Sequence, residues 1–143
     1  MYLQRAFYFP LHKRLRALFR LRNFKKLLEH EHSRPRNPSL ISDVYDSPAW
    51  RSFMGVPKSP CERIGLLGCS DSFQAHNCGT LSLIPLEYVI LSLPPALRFK
   101  SEYMLLSMFL PTNVKGLGQK KYYDFTAEYE LNKLYHTGSF IYL

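Results

Sequence analysis

Apolar residues recur along the chain with two different spacings, and these spacings predict a helix first and strands later. Between residues 11 and 28 the apolar positions are three or four apart, which places them on one stripe of a helix: Leu11, Leu15, Leu18, Leu21, Phe24 and Leu28. Pro10 suits the first turn of this helix. Residues 64–69, 83–93 and 103–109 are short apolar runs bounded by Gly, Pro, Asn or Ser, so we expect three strands there.

A last helix is expected over residues 121–136, with Gly138 as its stop. Its expected apolar face is formed by Tyr122, Phe125, Tyr129, Leu131 and Leu134. Pro85 is acceptable if the second strand begins after it, because proline cannot donate a hydrogen bond within a sheet. The predicted fold class is therefore α/β in the α+β sense, with three strands followed by a helix.

Proline content divides the chain into three predicted segments. Residues 33–60 hold five of the ten prolines, which predicts an extended connector. A short anchored turn over residues 42–50 is expected inside it, with Trp50 and Phe53 packing on the core. The predicted organisation is a basic amphipathic helical segment over 1–32, the Pro-rich connector over 33–60, and a core over 61–143.

Composition narrows the class of protein. A chain of 143 residues with 46% hydrophobic and 15% aromatic residues has enough apolar surface for one domain with a modest core. Its apolar runs are shorter than a bilayer-spanning helix, so no membrane association is expected. Cys61, Cys69 and Cys78 fit no familiar metal spacing and indicate reduced thiols.

The net charge of +8 lies entirely in the first quarter of the chain. Residues 1–36 carry ten Lys and Arg against two acidic residues, whereas residues 37–143 carry nine of each sign. The candidate nucleic-acid-binding residues are Arg14, Arg16, Arg20, Arg22, Lys25 and Lys26. On DNA such a row would pair with phosphates and give affinity without sequence readout. Two alternatives stay open: a core-packed helix with solvated cations, and an arginine-rich mitochondrial presequence.

Asp71 is the candidate catalytic residue. It stands just after the apolar run 64–69, and a carboxylate at the end of a central strand is a common first ligand of a metal pair in nucleic-acid enzymes. The competing interpretation is a turn, because Asp-Ser is common turn chemistry.

Several motifs along the chain resemble transposases of the CACTA (En/Spm) type. The core motifs are RIGLLGCSDSF at 63–73, SLIP at 82–85, LSLPPALRFK at 91–100 and YMLLS at 103–107. Upstream matches are YFPL at 8–11, RL at 14–15, ALF at 17–19, DVYD at 43–46 and AW at 49–50. Downstream, KKYYDF at 120–125 and ELNKLY at 130–135 stand where the family has a helix. Each motif is weak alone, and their order makes the resemblance fairly specific.

The resemblance implies an N-terminal fragment that reaches the start of an RNase H-like catalytic core. A full-length parent would be a nuclear enzyme of the Asp-Asp-Glu type, using Mg²⁺ or Mn²⁺ for DNA strand transfer. Asp71 matches the first acid, although Ser72 stands where the family has Gly. Asp124, Glu128 and Glu130 match no catalytic position, so the chain alone is expected to be inactive and to need no cofactor. Without the parent's next strand, residues 64–69 would form an exposed edge that favours self-association.

Overall fold

Helices occupy the first part of the chain and most of the strands the second. The computed structural model describes residues 6–35, 37, 39–54, 63–74, 82–111 and 117–137. The first elements are β1 (Phe7–Tyr8), α1 (Leu11–Phe19), α2 (Phe24–Leu28), α3 (His30–Ser33), a 3₁₀ turn (Val44–Asp46) and α4 (Pro48–Met54). These are followed by β2 (Leu66–Cys69), β3 (Phe73–Gln74), β4 (Ser82–Ile90), α5 (Pro95–Arg98) and β5 (Leu105–Pro111). The last described elements are α6 (Leu117–Asp124), a π-helical segment (Phe125–Leu131) and α7 (Asn132–Thr137).

The five strands form one antiparallel sheet in the order β1-β5-β4-β2, with β3 also paired to β4. The mixed α and β class and the three predicted strands are confirmed, with bounds shifted by at most three residues. β1 and β3 were not predicted, because two-residue strands are too short to show a period.

Pro85 lies inside β4, so the condition under which the sequence analysis accepted it, a strand that begins after Pro85, is not met. On one side Pro85 pairs in register with Phe109 of β5. β4 also pairs with β3, where Phe73 lies opposite Leu83 and Gln74 opposite Ser82. Residues 70–72, between β2 and β3, are not in a strand.

The chain separates into two compact units. The first contains the described residues of 6–17, 68–88 and 105–137, and the second contains those of 18–67 and 89–104. The first unit buries Leu11, Leu15, Ile84, Leu86, Tyr88, Leu105, Met108 and Leu110. The second unit buries Leu18, Phe19, Phe24, Leu28, Tyr45, Trp50, Met54, Val89, Ile90 and Leu93.

The single N-terminal helix that the apolar stripe predicted is broken into three. α1 ends at Phe19, and tight turns follow in which the amide of Leu21 donates to Leu18 and that of Phe24 to Leu21. Leu21 is 50% exposed, whereas the other five residues of the stripe are buried. The stripe therefore predicted the buried side correctly at every position except the one inside the turn.

The connector and the last helix also differ from expectation. Residues 44–54 form the 3₁₀ turn and α4, and of the two aromatic residues expected in the core, Trp50 is buried but Phe53 is 74% exposed. The last helix begins earlier than predicted and contains the π-helical segment. Its wider turn buries Thr126 and Glu130, while Phe125 and Tyr129 of the predicted apolar face stay exposed. Gly138 lies outside the described residues.

None of the described helices is both long and apolar enough to cross a bilayer.

Candidate functional site

Asp71 lies in the exposed break between β2 and β3. Its Oδ1 accepts a 2.8 Å hydrogen bond from the amide of the next residue, Ser72. The hydroxyl of the preceding residue, Ser70, bonds to that of Tyr123 on α6 at 3.0 Å. The ring of Phe73 packs edge-on against that of Phe109, with 6.2 Å between the ring centroids. Asp71 is thus an accessible carboxylate in the short segment that follows β2.

The described ranges contain no cluster of ligating side chains around Asp71 that is large enough to hold a metal ion. No group of three His, Cys, Asp or Glu side chains in these ranges could hold a metal ion. Of the sequence candidates, Asp124 is half-buried and Glu128 is exposed on the last helix. Glu130 is buried and has other partners. As described, Asp71 can offer one carboxylate to a cation, fewer ligands than a hard divalent ion needs.

Glu130 forms a buried polar site that sequence analysis did not predict. It is only 4% exposed, and both of its carboxylate oxygens accept from the amide of Leu11 at 3.0 Å. Nδ1 of His12 lies 3.3 Å from Oε1. Since the first amides of a helix have no partner within the helix and carry partial positive charge, Glu130 caps α1 from a distant part of the chain.

The same carboxylate changes the acidity of a neighbouring phenol. Burial, followed by the hydrogen bond and negative charge of Glu130, raises the pKa of Tyr8 well above its ordinary value. Tyr8 also packs edge-on against Phe125, with 5.3 Å between ring centroids. Because Tyr8 and Phe125 lie near opposite ends of the sequence, no local sequence pattern could indicate that they meet at this site.

The six predicted DNA-binding residues are divided between the two units. Arg14 and Arg16 belong to the first unit and are half-buried, and Nε of Arg14 is buried. The other four, all exposed in the second unit, are Arg20, Arg22, Lys25 and Lys26. In the part of the chain that the structure describes, none of these four forms an ion pair. They are accessible cations of the kind that phosphate contacts require.

A second buried polar network lies in the second unit and is centred on Arg98. Its two terminal nitrogens each lie 2.7 Å from an oxygen of Asp43, and its Nε donates to the carbonyl of Leu93 at 2.9 Å. The guanidinium stands 4.8 Å above the ring of Tyr45, whose hydroxyl bonds to the carbonyls of Leu91 and Leu93 at 2.7 Å. Burial alone would lower the pKa of Arg98, but hydrogen bonds with Asp43 and Tyr45 outweigh it, and the pKa is raised.

Trp50 packs beside this network. Its ring centroid lies 5.5 Å from that of Tyr45, and its indole nitrogen donates to Glu31 at 2.6 Å. A Cβ added at Gly65 would lie 2.3 Å from Cη2 of Trp50, so only glycine fits there. The sequence contained the signal for this network, since Asp43, Tyr45, Trp50 and Arg98 all stand in quoted motifs, but it did not show that they are in contact.

Comparison with known proteins gives no match to a family model, to a curated protein or to a solved structure.

Proposed function

We propose that this chain is an N-terminal part of a CACTA-type transposase that reaches the start of its catalytic domain. The observation that carries the proposal is the placement of Asp71. It follows β2, the first of three longer antiparallel strands in the order β5-β4-β2, and a helix follows β5. This is the order in which an RNase H-like core begins, with its first acid after the first strand.

The contacts between motifs add support. The DVYD motif at 43–46 and the LSLPPALRFK motif at 91–100 are far apart in sequence, yet Asp43 and Arg98 form a bidentate buried pair. The RIGLLGC motif joins them, because Gly65 contacts Trp50 and its carbonyl accepts from Leu91 at 2.8 Å. Segments chosen for their resemblance to one family therefore meet in one network, as expected if they were selected together.

Under this proposal the chemistry belongs to the full-length parent. Two Mg²⁺ or Mn²⁺ ions would activate the attacking hydroxyl and stabilise the leaving oxygen, with Asp71 as one of three acidic ligands. The chain by itself holds a single matching acid in its described part, so we expect it to be inactive in strand transfer. The proposed location is the nucleus, with mitochondria as the alternative.

Long-read sequencing of the gene and transcript across codon 143 tests the proposal. We expect the reading to continue, in this frame or a shifted one, into a further strand ending in Asp and a later helix bearing Glu. The assembled full-length chain should then join DNA strands in the presence of Mg²⁺, and Asp71→Asn should abolish joining while Asp124→Asn leaves it intact. A transcript that encodes no such acids, or an Asp71→Asn enzyme of full activity, would overturn the proposal.

The second candidate function is a non-catalytic DNA-binding module, which the exposed cations of the second unit favour. Each phosphate contact on duplex DNA contributes about −0.9 to the slope of log affinity against log salt concentration. Arg20→Ala combined with Arg22→Ala should therefore weaken binding to random duplex and reduce the slope by about 2. Lys120→Ala with Lys121→Ala, an exposed pair in the first unit, is the matched control. Equal binding by both double variants would rule out the basic segment as the DNA contact.

Self-association is proposed through β2, which ends the sheet order. Leu67 in this strand is 48% exposed, and an open strand edge offers unpaired backbone groups to a second chain. We expect oligomers in light scattering, and Leu67→Lys should shift them toward monomer because charge on an edge strand opposes pairing. A sharp monomer peak for the unmodified chain, together with cooperative melting, would contradict this.

A further inference from the structure

Phe99 is a large aromatic side chain that the fold leaves in solvent. It is 70% exposed and directly follows α5, where its amide donates to the carbonyl of Leu97. Its neighbour Lys100 is also exposed. Single exposed apolar residues are common on proteins, so exposure by itself carries no argument. What distinguishes Phe99 is how firmly the structure holds the turn that presents it.

The turn is fixed on both sides of Phe99. On one side, Arg98 is buried by its bidentate pairing with Asp43 and its bond to Leu93. On the other side, the carbonyl of Lys100 accepts from the amides of Tyr103 and Met104, at 2.9 and 3.1 Å. The exposed ring is consequently displayed on an ordered support, which lowers the entropy cost of contacting a ligand.

The far end of this turn packs against the basic segment. The ring of Tyr103 is stacked on that of Phe24 with 6.3 Å between centroids, and Phe24 packs edge-on against Phe19 at 5.1 Å. Phe19 ends α1 and Phe24 begins α2, so they bracket the turn that carries Arg20 and Arg22. The aromatic row therefore connects the Phe99 turn to the exposed cations within the second unit.

We propose that this surface binds single-stranded DNA, with an unpaired base stacked on Phe99 and the strand's phosphates paired with Arg20, Arg22, Lys25 and Lys100. The inference rests on the DNA-binding function proposed above and specifies its substrate. Exposed aromatic rings combined with cations that contact the backbone are the common means of holding single strands. In duplex DNA the base faces are already stacked on one another, so Phe99 has nothing to stack on there. Glu102, exposed in the same turn, opposes the phosphates.

Fluorescence anisotropy of the full chain with a labelled oligo-dT, and with a labelled duplex of equal length, tests the inference. Phe99→Ala should weaken binding to oligo-dT by about 5- to 100-fold, as loss of one stacked base does, and leave duplex binding unchanged. Phe99→Tyr should retain single-strand affinity, because a phenol stacks as well as a phenyl ring. Glu102→Gln should strengthen binding to both nucleic acids. Phe53→Ala is the matched control, since Phe53 is 74% exposed in the same unit and should have no effect on either.

The outcomes separate this inference from the function on which it rests. If Phe99→Ala leaves oligo-dT binding intact, or weakens binding to oligo-dT and to the duplex equally, base stacking on Phe99 is overturned while phosphate binding stands. If Arg20→Ala with Arg22→Ala leaves both affinities intact, DNA binding by the basic segment itself fails. Unchanged Trp50 fluorescence in every variant confirms that the second unit remains folded, since Trp50 is the single tryptophan and is buried there.

Discussion

Replacing Asp43 should destabilise the second unit more than any surface substitution. Asp43 supplies both acceptors for the terminal nitrogens of Arg98, and Arg98 is only 6% exposed. Its Oδ1 also accepts from the amide of Val44 at 2.6 Å and so caps the 3₁₀ turn. Asp43→Ala thus leaves a buried guanidinium without its counter-charge and removes a cap.

The magnitude follows from these two losses. Removing one partner of a buried ion pair costs about 3–5 kcal/mol, because the remaining charge stays desolvated. Loss of a capping side chain adds about 1 kcal/mol. The bond that Arg98 Nε donates to the carbonyl of Leu93 and the ring of Tyr45 still stabilise Arg98 in the variant. We therefore expect a total loss near the lower end of the combined range, about 4 kcal/mol. Domains of this size are commonly stable by about 5–15 kcal/mol, so the variant should remain folded but only marginally.

The assay is urea unfolding followed by Trp50 fluorescence, which reports on the second unit directly. Asp43→Asn is the companion variant, because it keeps the side-chain shape and one acceptor oxygen but loses the charge and the second acceptor. The double variant Arg98→Met with Asp43→Asn completes a double-mutant cycle. Its loss in free energy of unfolding should be smaller than the sum of the losses of the two single variants, by about 2 kcal/mol or more. A loss below about 1 kcal/mol for Asp43→Ala, or strict additivity in the double variant, would refute the reasoning.

Three further predictions concern other contacts. Asp46 accepts hydrogen bonds from Ser42 and Arg34 that outweigh burial and lower its pKa to about 2. Since a depressed carboxyl pKa stabilises the folded state only above the unfolded value, Trp50-monitored stability should fall between about pH 4 and pH 2, and Asp46→Asn should flatten this dependence. Gly65→Ala should cost about 1–3 kcal/mol by displacing Trp50, because its added Cβ would lie 2.3 Å from that ring. Gly68→Ala, whose Cβ would lie 3.2 Å from the ring of Tyr88, should cost less in urea unfolding; equal losses would contradict the close contact. Glu130→Ala should lower thermal stability in circular dichroism by about 1–2 kcal/mol through loss of the α1 cap, with Glu128→Ala, exposed on the same helix, as a control that has no effect.

Local periodicity identified the main elements because short apolar runs and their breakers act within a few residues. β2, β4 and β5 all lie where such runs predicted strands, and the last helix lies where its pattern indicated. The apolar stripe of the N-terminal segment likewise identified the residues that become buried, except Leu21. In each case the information lies in a residue and its near neighbours, so a single sequence is enough to recover it.

Sequence reasoning also found Asp71 and the exposed cations, since a carboxylate after a strand and a run of Lys and Arg are visible locally. It failed at the π-helical segment, whose wider turn buries Thr126 and Glu130 in place of Phe125 and Tyr129. An α-helical period cannot predict that change, because the register shift comes from packing. The short pairing of β3 with β4 was missed for a similar reason, since it depends on which strand lies alongside.

The sequence by itself determined the order of the three longer strands and the last helix, the concentration of positive charge near the N-terminus and the position of a carboxylate just after a strand. Only the tertiary structure decided which polar groups meet. Glu130 reaches the amide of Leu11 across 119 positions, and Asp43 reaches Arg98 across 55. Buried charges are tolerated only when a partner satisfies them, and that partner can come from any part of the chain that folding brings near. For this physical reason the polar networks were decided by the fold rather than by any local pattern.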